Sequence, residues 1–149
     1  MTQHLRRLSV HQFRVDTVGR YLMYNGSEGK NQFGAQCVNT WGEFLAEAGL
    51  PQLPGNAATI NYSPYGQFIQ NKPDNAPLAG DFVVFKGGKF DAVNGHAALA
   101  LHNSSHHLMH LEWQNDPDGS PEQMLYMNYD NCEGWWRVDW VHHGVQLVY

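Results

Sequence analysis

The chain has 149 residues, 42% of them apolar and 13% aromatic, enough for one hydrophobic core over residues 1–149, too few for two, and unlike a wholly disordered chain. Fourteen acids against nine Lys and Arg leave a formal charge of −5 with no basic stripe, which speaks against nucleic acid as a partner. The longest apolar run, Ala97 to Leu101, has five residues, whereas a membrane span needs about 20.

Residues 1–20 contain Arg6 and Arg7 but no apolar segment after them, so synthesis in the cytoplasm without a signal peptide is expected. Val10, Phe13, Thr17/Val18 and Tyr21/Leu22 recur at three-to-four spacing and predict a helix over residues 9–24, with Ser9 as N-cap. Asn25 to Gly34 carries three glycines and reads as a loop. Val38, Trp41, Phe44/Leu45 and Ala48 form one face of a second helix over residues 37–48, ended by Gly49 and Pro51. Residues 51–77 are rich in Pro, Gly, Asn and Ser and read as a long ordered connection with at most one short helix. After Gly80 the period changes, and strands are predicted over residues 82–85, 95–102, 107–113, 124–128, 136–140 and 145–149. Helices first and a meander afterwards point to an α+β domain, its N-terminal helices packed on an antiparallel β-sheet.

The chemistry-bearing pattern is a cysteine opening a helix and a histidine opening a distant strand. A thiolate is the nucleophile, and both a helix N-terminus and an imidazole lower a cysteine's pKa. Cys37 at the first turn of its helix would also stand beside backbone N–H groups suited to an oxyanion. Strand alternation puts His96, Ala98 and Ala100 on one face, and His110, Glu112 and Gln114 on one face of the next strand. A carboxylate on that neighbouring strand, Glu112, would orient the imidazole as the third member of a triad. Taken singly, each residue also reads as a core cysteine, a structural histidine and a solvated strand acid.

Five segments in order carry a resemblance. Phe33-Gly34-Ala35-Gln36-Cys37-Val38-Asn39 is similar to the nucleophile motif of CHAP domains, the cysteine, histidine-dependent amidohydrolases/peptidases. Gly55-Asn56-Ala57, residues 79–85 (Ala-Gly-Asp-Phe-Val-Val-Phe), Gly95-His96-Ala97-Ala98-Leu99 and Glu112-Trp113-Gln114-Asn115 resemble that family's later signatures. The resemblance implies a papain-like (NlpC-type) fold and cleavage of a peptidoglycan amide bond, with no cofactor. On it, Cys37 is the nucleophile, His96 the general base and Glu112 the orienting acid, with Gln36, Gln114 and Asn115 as auxiliary residues. The family's Asn two places after the Glu is here Gln114, with Asn115 one further. Some phage relatives carry a calcium loop before the cysteine. The matching positions here, Glu28, Lys30, Gln32 and Asn39, include a lysine, and no metal is expected.

A phage lysin or a delivered effector acting on the bacterial cell wall is therefore expected, with wall targeting or an inhibitor or immunity protein on a separate chain. A non-catalytic glycan-binding module on the same fold is the alternative, motivated by Gln114 and by Trp135, Trp136 and Trp140, which otherwise cover the sheet. Histidines 102, 106, 107 and 110 raise a third option, a zinc hydrolase, but on a hairpin His106 and His107 face opposite ways, so a polar turn is expected. Cys132 reads as a loop thiol. Cys37 and Cys132 are either two free thiols or one bridge.

Overall fold

The computed structural model describes residues 4–23 and 36–149. The first element is a short strand, β1 (Arg6–Ser9), followed by α1 (Val10–Thr17) and α2 (Val38–Glu47). The strands β2 (Gly66–Gln70), β3 (Phe82–Phe85), β4 (His96–Ala100), β5 (Met109–Trp113), β6 (Gln123–Met127), β7 (Cys132–Val138) and β8 (Val145–Val148) complete the chain. Six of them form an antiparallel sheet in the order β2-β7-β3-β4-β5-β6, and β1 pairs with β8 in a separate parallel ribbon. The α+β class expected from the residues is the one observed.

Ser9 does cap α1, its hydroxyl accepting from the Gln12 N–H at 3.1 Å. The helix stops at Thr17, a full turn and more before the end that the hydrophobic spacing predicts. Gly19 takes a left-handed φ of 90° and donates to the Glu122 carbonyl, while the Glu122 N–H donates to the Arg20 carbonyl, both at 2.8 Å. Tertiary backbone pairing thus captures the residues that would have continued the helix. α2 matches its prediction closely and ends at Gly49 in a left-handed conformation.

The sheet separates two apolar clusters. On one face Phe13, Trp41, Phe44, Leu45, Phe82, Ala97 and Leu99 form the main core with both helices. Trp41 stacks on Phe82 with ring centroids 5.3 Å apart, and its indole N–H donates to the Ala98 carbonyl at 2.8 Å. This bond fixes α2 across the middle of β4. The other face collects Val83, Phe85, Phe90, Ala98, Ala100, Leu111, Trp113 and Trp135.

Three strand expectations need correction. β1 and β2 lie where charged and loop-like sequence was read, because each is held by backbone pairing to a distant partner rather than by its own apolar alternation. β8 does not join the meander but leaves it to pair with β1. β7 starts at Cys132, so that residue is a buried strand thiol and not a loop thiol. Both cysteines are free. Trp135 and Trp140 are buried in the two clusters and Trp136 packs partly buried against the main one, as expected of rings that cover a sheet. Among the described residues no helix is long and apolar enough to cross a membrane.

Candidate active site

α2 brings Cys37 to the sheet by its N-terminal end. Cys37 already has helical backbone angles, and the Thr40 N–H donates to its carbonyl at 3.2 Å, so the sulfur sits at the first turn. The backbone of Ala97, the residue after His96, and that of Val38 favour the ionised form of the Cys37 thiol. Gly95, just before His96, lets the start of β4 pack closely against the end of β3 and the backbone at Ala58. It has a φ of 72°, and a Cβ there would stand 2.7 Å from the Phe85 carbonyl oxygen and 3.1 Å from the Ala58 Cβ.

Cys37 and His96 line one cleft of about 760 Å³. Its walls include Gln36, Asn39, Asn56, Lys89, Asn115 and Asp116, a polar lining of mixed charge. His96 is 5% exposed. Its ring stacks on Phe90 at 5.4 Å and meets Trp113 edge-on at 4.6 Å, so its neighbours are aromatic and not only the small residues that strand alternation suggested.

Burial governs both groups. It pushes the Cys37 thiol up to about 11, against the backbone of Ala97 and Val38, and the negative charge of Asp116 pushes the same way. It holds the His96 imidazole down at about 4, opposed by Asp116 and assisted by the Lys89 cation. The helix N-terminus therefore does not yield the resting thiolate anticipated from the sequence. Both shifts favour the neutral pair, thiol and imidazole, over thiolate and imidazolium.

Glu112 is not brought to this pair. β4 and β5 pair with Leu99 opposite Glu112 and Ala100 opposite Leu111. Directly opposed residues share a face, so Glu112 points to the side of Leu99 and Ala97 while His96 belongs with Ala98 and Ala100. The alternation read from the sequence is correct, but the register sets the two residues on opposite faces. Glu112 instead accepts from the Thr17 hydroxyl at 2.6 Å and hydrogen-bonds Glu122, which in turn accepts from the Thr40 hydroxyl. Burial raises both carboxyls, and their mutual repulsion raises Glu122 further, so the pair keeps a shared proton.

Gln114 is also outside the cleft. Its side chain accepts from the Leu22 N–H at 2.9 Å and donates to the carbonyls of Leu22 and Gln36 at 2.8 and 2.7 Å. It ties together the flanks of residues 24–35. Asn115 does line the cleft, with a φ of 66° and its side chain accepting from the Gly119 N–H at 2.8 Å. Of the calcium-loop positions, Glu28, Lys30 and Gln32 fall outside the described residues, as do Phe33, Gly34 and Ala35 of the cysteine motif.

Asp116 is the cleft residue that the sequence reading missed. The Trp113 indole N–H and the Gln123 amide donate to its carbonyl at 3.1 and 2.7 Å, and its carboxylate lies 3.6 Å from the Lys89 amine. It occupies an irregular turn, where neither helical nor strand period marks a residue. The one sequence signal that could have found it is its place just after Gln114-Asn115.

The histidine-rich hairpin disperses its rings. His106 engages the Pro73 carbonyl, His110 engages the His102 carbonyl and stacks on Tyr126, and His102 stacks on Tyr149. Among the described residues no three His, Cys, Asp or Glu side chains converge as metal ligands would.

No protein-family model and no curated protein matches the chain. Solved structures do. An endolysin, LysIME-EF1, superposes with a TM-score of 0.70 at 20% identity over 89% of this chain and 65% of its own. Ly7917, also solved with "the hydrolyzing product of MDP", gives 0.57 at 13% identity over 87% of this chain and 60% of its own. A lipoprotein-like member of the NLP/P60 family from Staphylococcus aureus subsp. aureus Mu50 gives 0.50 at 19% identity over 87% and 40%. The chain thus spans less than two-thirds of each of these proteins. The likeness establishes the fold, the papain-like, NlpC/P60-type arrangement.

Proposed function

We propose that this chain is a cysteine hydrolase of the CHAP type that cuts an amide bond of bacterial cell-wall peptide, as an N-acetylmuramoyl-L-alanine amidase or an endopeptidase. The observation that carries the reading is that Cys37, at the start of α2, and His96, at the start of β4, line one cleft. A fold shared with endolysins supports it. Cys37 Sγ attacks the amide carbonyl while His96 takes the thiol proton. His96 then returns that proton to the leaving amine, and water, activated by the same ring, hydrolyses the thioester. A neutral imidazole is the form this sequence of steps requires. The polar cleft, with Asn39, Asn56, Asn115 and Lys89 on its walls, suits a peptide rich in amides and carboxylates.

The test is digestion of purified peptidoglycan by wild type and Cys37→Ala, followed by mass spectrometry of the released muropeptides. New sugar-free stem peptides from wild type alone indicate an amidase, and severed cross-links an endopeptidase. Equal release by both proteins refutes the assignment. A second reading, a non-catalytic wall-binding module, is supported by the way burial pushes the Cys37 thiol up and so works against a nucleophilic thiolate. In that case both proteins would bind wall material equally and neither would release peptide.

A further inference from the structure

The hydrolase reading leaves His96 without the acid that the sequence assigned to it. Glu112 is committed to Thr17 and Glu122 on the other face of the sheet. Among the described residues four buried polar atoms of the cleft have no hydrogen-bond partner, Asn39 Oδ1, Gln52 Oε1, His96 Nε2 and Asp116 Oδ2, and Asp116 supplies the one carboxylate oxygen of the four. One indole connects His96 and Asp116. Trp113 packs its ring edge-on against the His96 imidazole and donates its N–H to the Asp116 carbonyl. On this basis, and resting on the hydrolase reading, we propose that Asp116 is the carboxylate that positions His96 and stabilises its cation during the reaction.

The groups around the imidazole come from every side of the cleft. Cys37 arrives from α2, Lys89 and Asp91 from the β3–β4 connection, and Asp116 and Asp118 from the turn after β5. Lys89 opposes a cationic ring, and it stands over both Phe90 and Trp113, 5.1 and 5.5 Å from their centroids. Asp116 is the acid whose charge acts on both reacting groups, favouring a protonated His96 and a protonated Cys37. When the thiol proton passes to one ring nitrogen, the cation formed needs an acceptor for the other N–H. Asp116 Oδ2 supplies it, and Lys89 stands 3.6 Å from that oxygen in the resting structure.

The experiment compares the full chain with Asp116→Asn and Asp116→Glu by three readouts. In peptidoglycan digestion, Asp116→Asn lowers kcat/KM by roughly a hundredfold and moves its acid limb down by about one pH unit. Imidazole NMR of the resting protein shows His96 titrating lower in the same variant. Alkylation by iodoacetamide shows the Cys37 thiol ionising at lower pH. Asp116→Glu keeps the charge and restores the limb and both titrations most of the way. A merely structural role would lower activity at all pH values and leave both titrations in place, which overturns the proposal. The outcomes separate the two claims. Wild type and Cys37→Ala that release no peptide sink the hydrolase reading, and with it the reaction role proposed for Asp116. A Cys37-dependent wild type whose Asp116→Asn variant keeps the wild-type pH profile and titrations sinks the Asp116 assignment alone.

Discussion

The cleft around Cys37 and the sealed pocket around Glu112 both border α2, while His96 and Glu112 stand on opposite faces of one sheet, and β5 serves both. Glu112 enters the pocket, while its neighbour Trp113 enters the wall behind His96. Both regions bury titratable groups and perturb them strongly, yet only one opens to a cavity that a substrate can enter. Glu112 and Glu122 are 0% and 1% exposed and closed off by two threonine hydroxyls. A perturbed carboxyl is thus no sign of a site unless a reacting group can reach it.

His96 and the Glu112–Glu122 pair pull stability in opposite pH directions. The folded His96 titrates below its ordinary 6.5, so its contribution is whole above that value and drains away as pH falls towards about 4, where the unfolded chain binds the extra proton. The Glu112–Glu122 pair titrates above the ordinary 4.5. There the folded chain holds the extra proton, so the contribution is whole below about pH 4.5 and is lost as pH rises.

The largest expected effect tests which region is chemical. Cys37→Ala and His96→Ala each lower peptide release by about a thousandfold or more, and the double variant loses little beyond either single one, as measured by muropeptide yield. Additive losses would mean the two residues do not act as a unit. Gly95→Ala comes next, because it combines a left-handed backbone with a Cβ 2.7 Å from the Phe85 carbonyl oxygen. It is expected to cost about 1–3 kcal/mol in denaturant unfolding and to depress activity by moving His96. Glu122→Gln should sharpen the contrast from the other side. The amide keeps the bonds to Thr40 and Glu112 but removes one ionisation, so thermal unfolding at alkaline pH rises relative to wild type while the acid side is little changed. Smallest of all is the effect of Glu112→Gln on the cleft. The NMR titration of His96 should stay at its wild-type position, and a clear shift would mean that Glu112 reaches the imidazole after all.

How far the sequence could foretell these regions follows from what each depends on. α2 and the strands from β3 to β6 announce themselves by apolar period, because they bury a face. β1 and β2 do not, since their main ties are backbone bonds to β8 and β7, far along the chain. Cys37 and His96 were legible through local motifs that mark a helix start and a strand start. The carboxylate proposed to position His96 was not. The face that Glu112 shares with His110 and Gln114 can be read by counting residues, but whether that face meets His96 depends on the β4–β5 register, which the sequence does not display. Asp116 sits in a turn with no period to count.

The parallel ribbon of β1 and β8 carries a mechanical consequence. Its four rungs, from Arg6 opposite Val145 to Ser9 opposite Val148, run in the same direction. Tension applied between the two ends of the described chain would slide one strand along the other and load all the rungs together, instead of peeling them one at a time. A chain held at one end and dragged by the other would meet its stiffest resistance at that seam, on strands that contribute no described lining residue to the cleft.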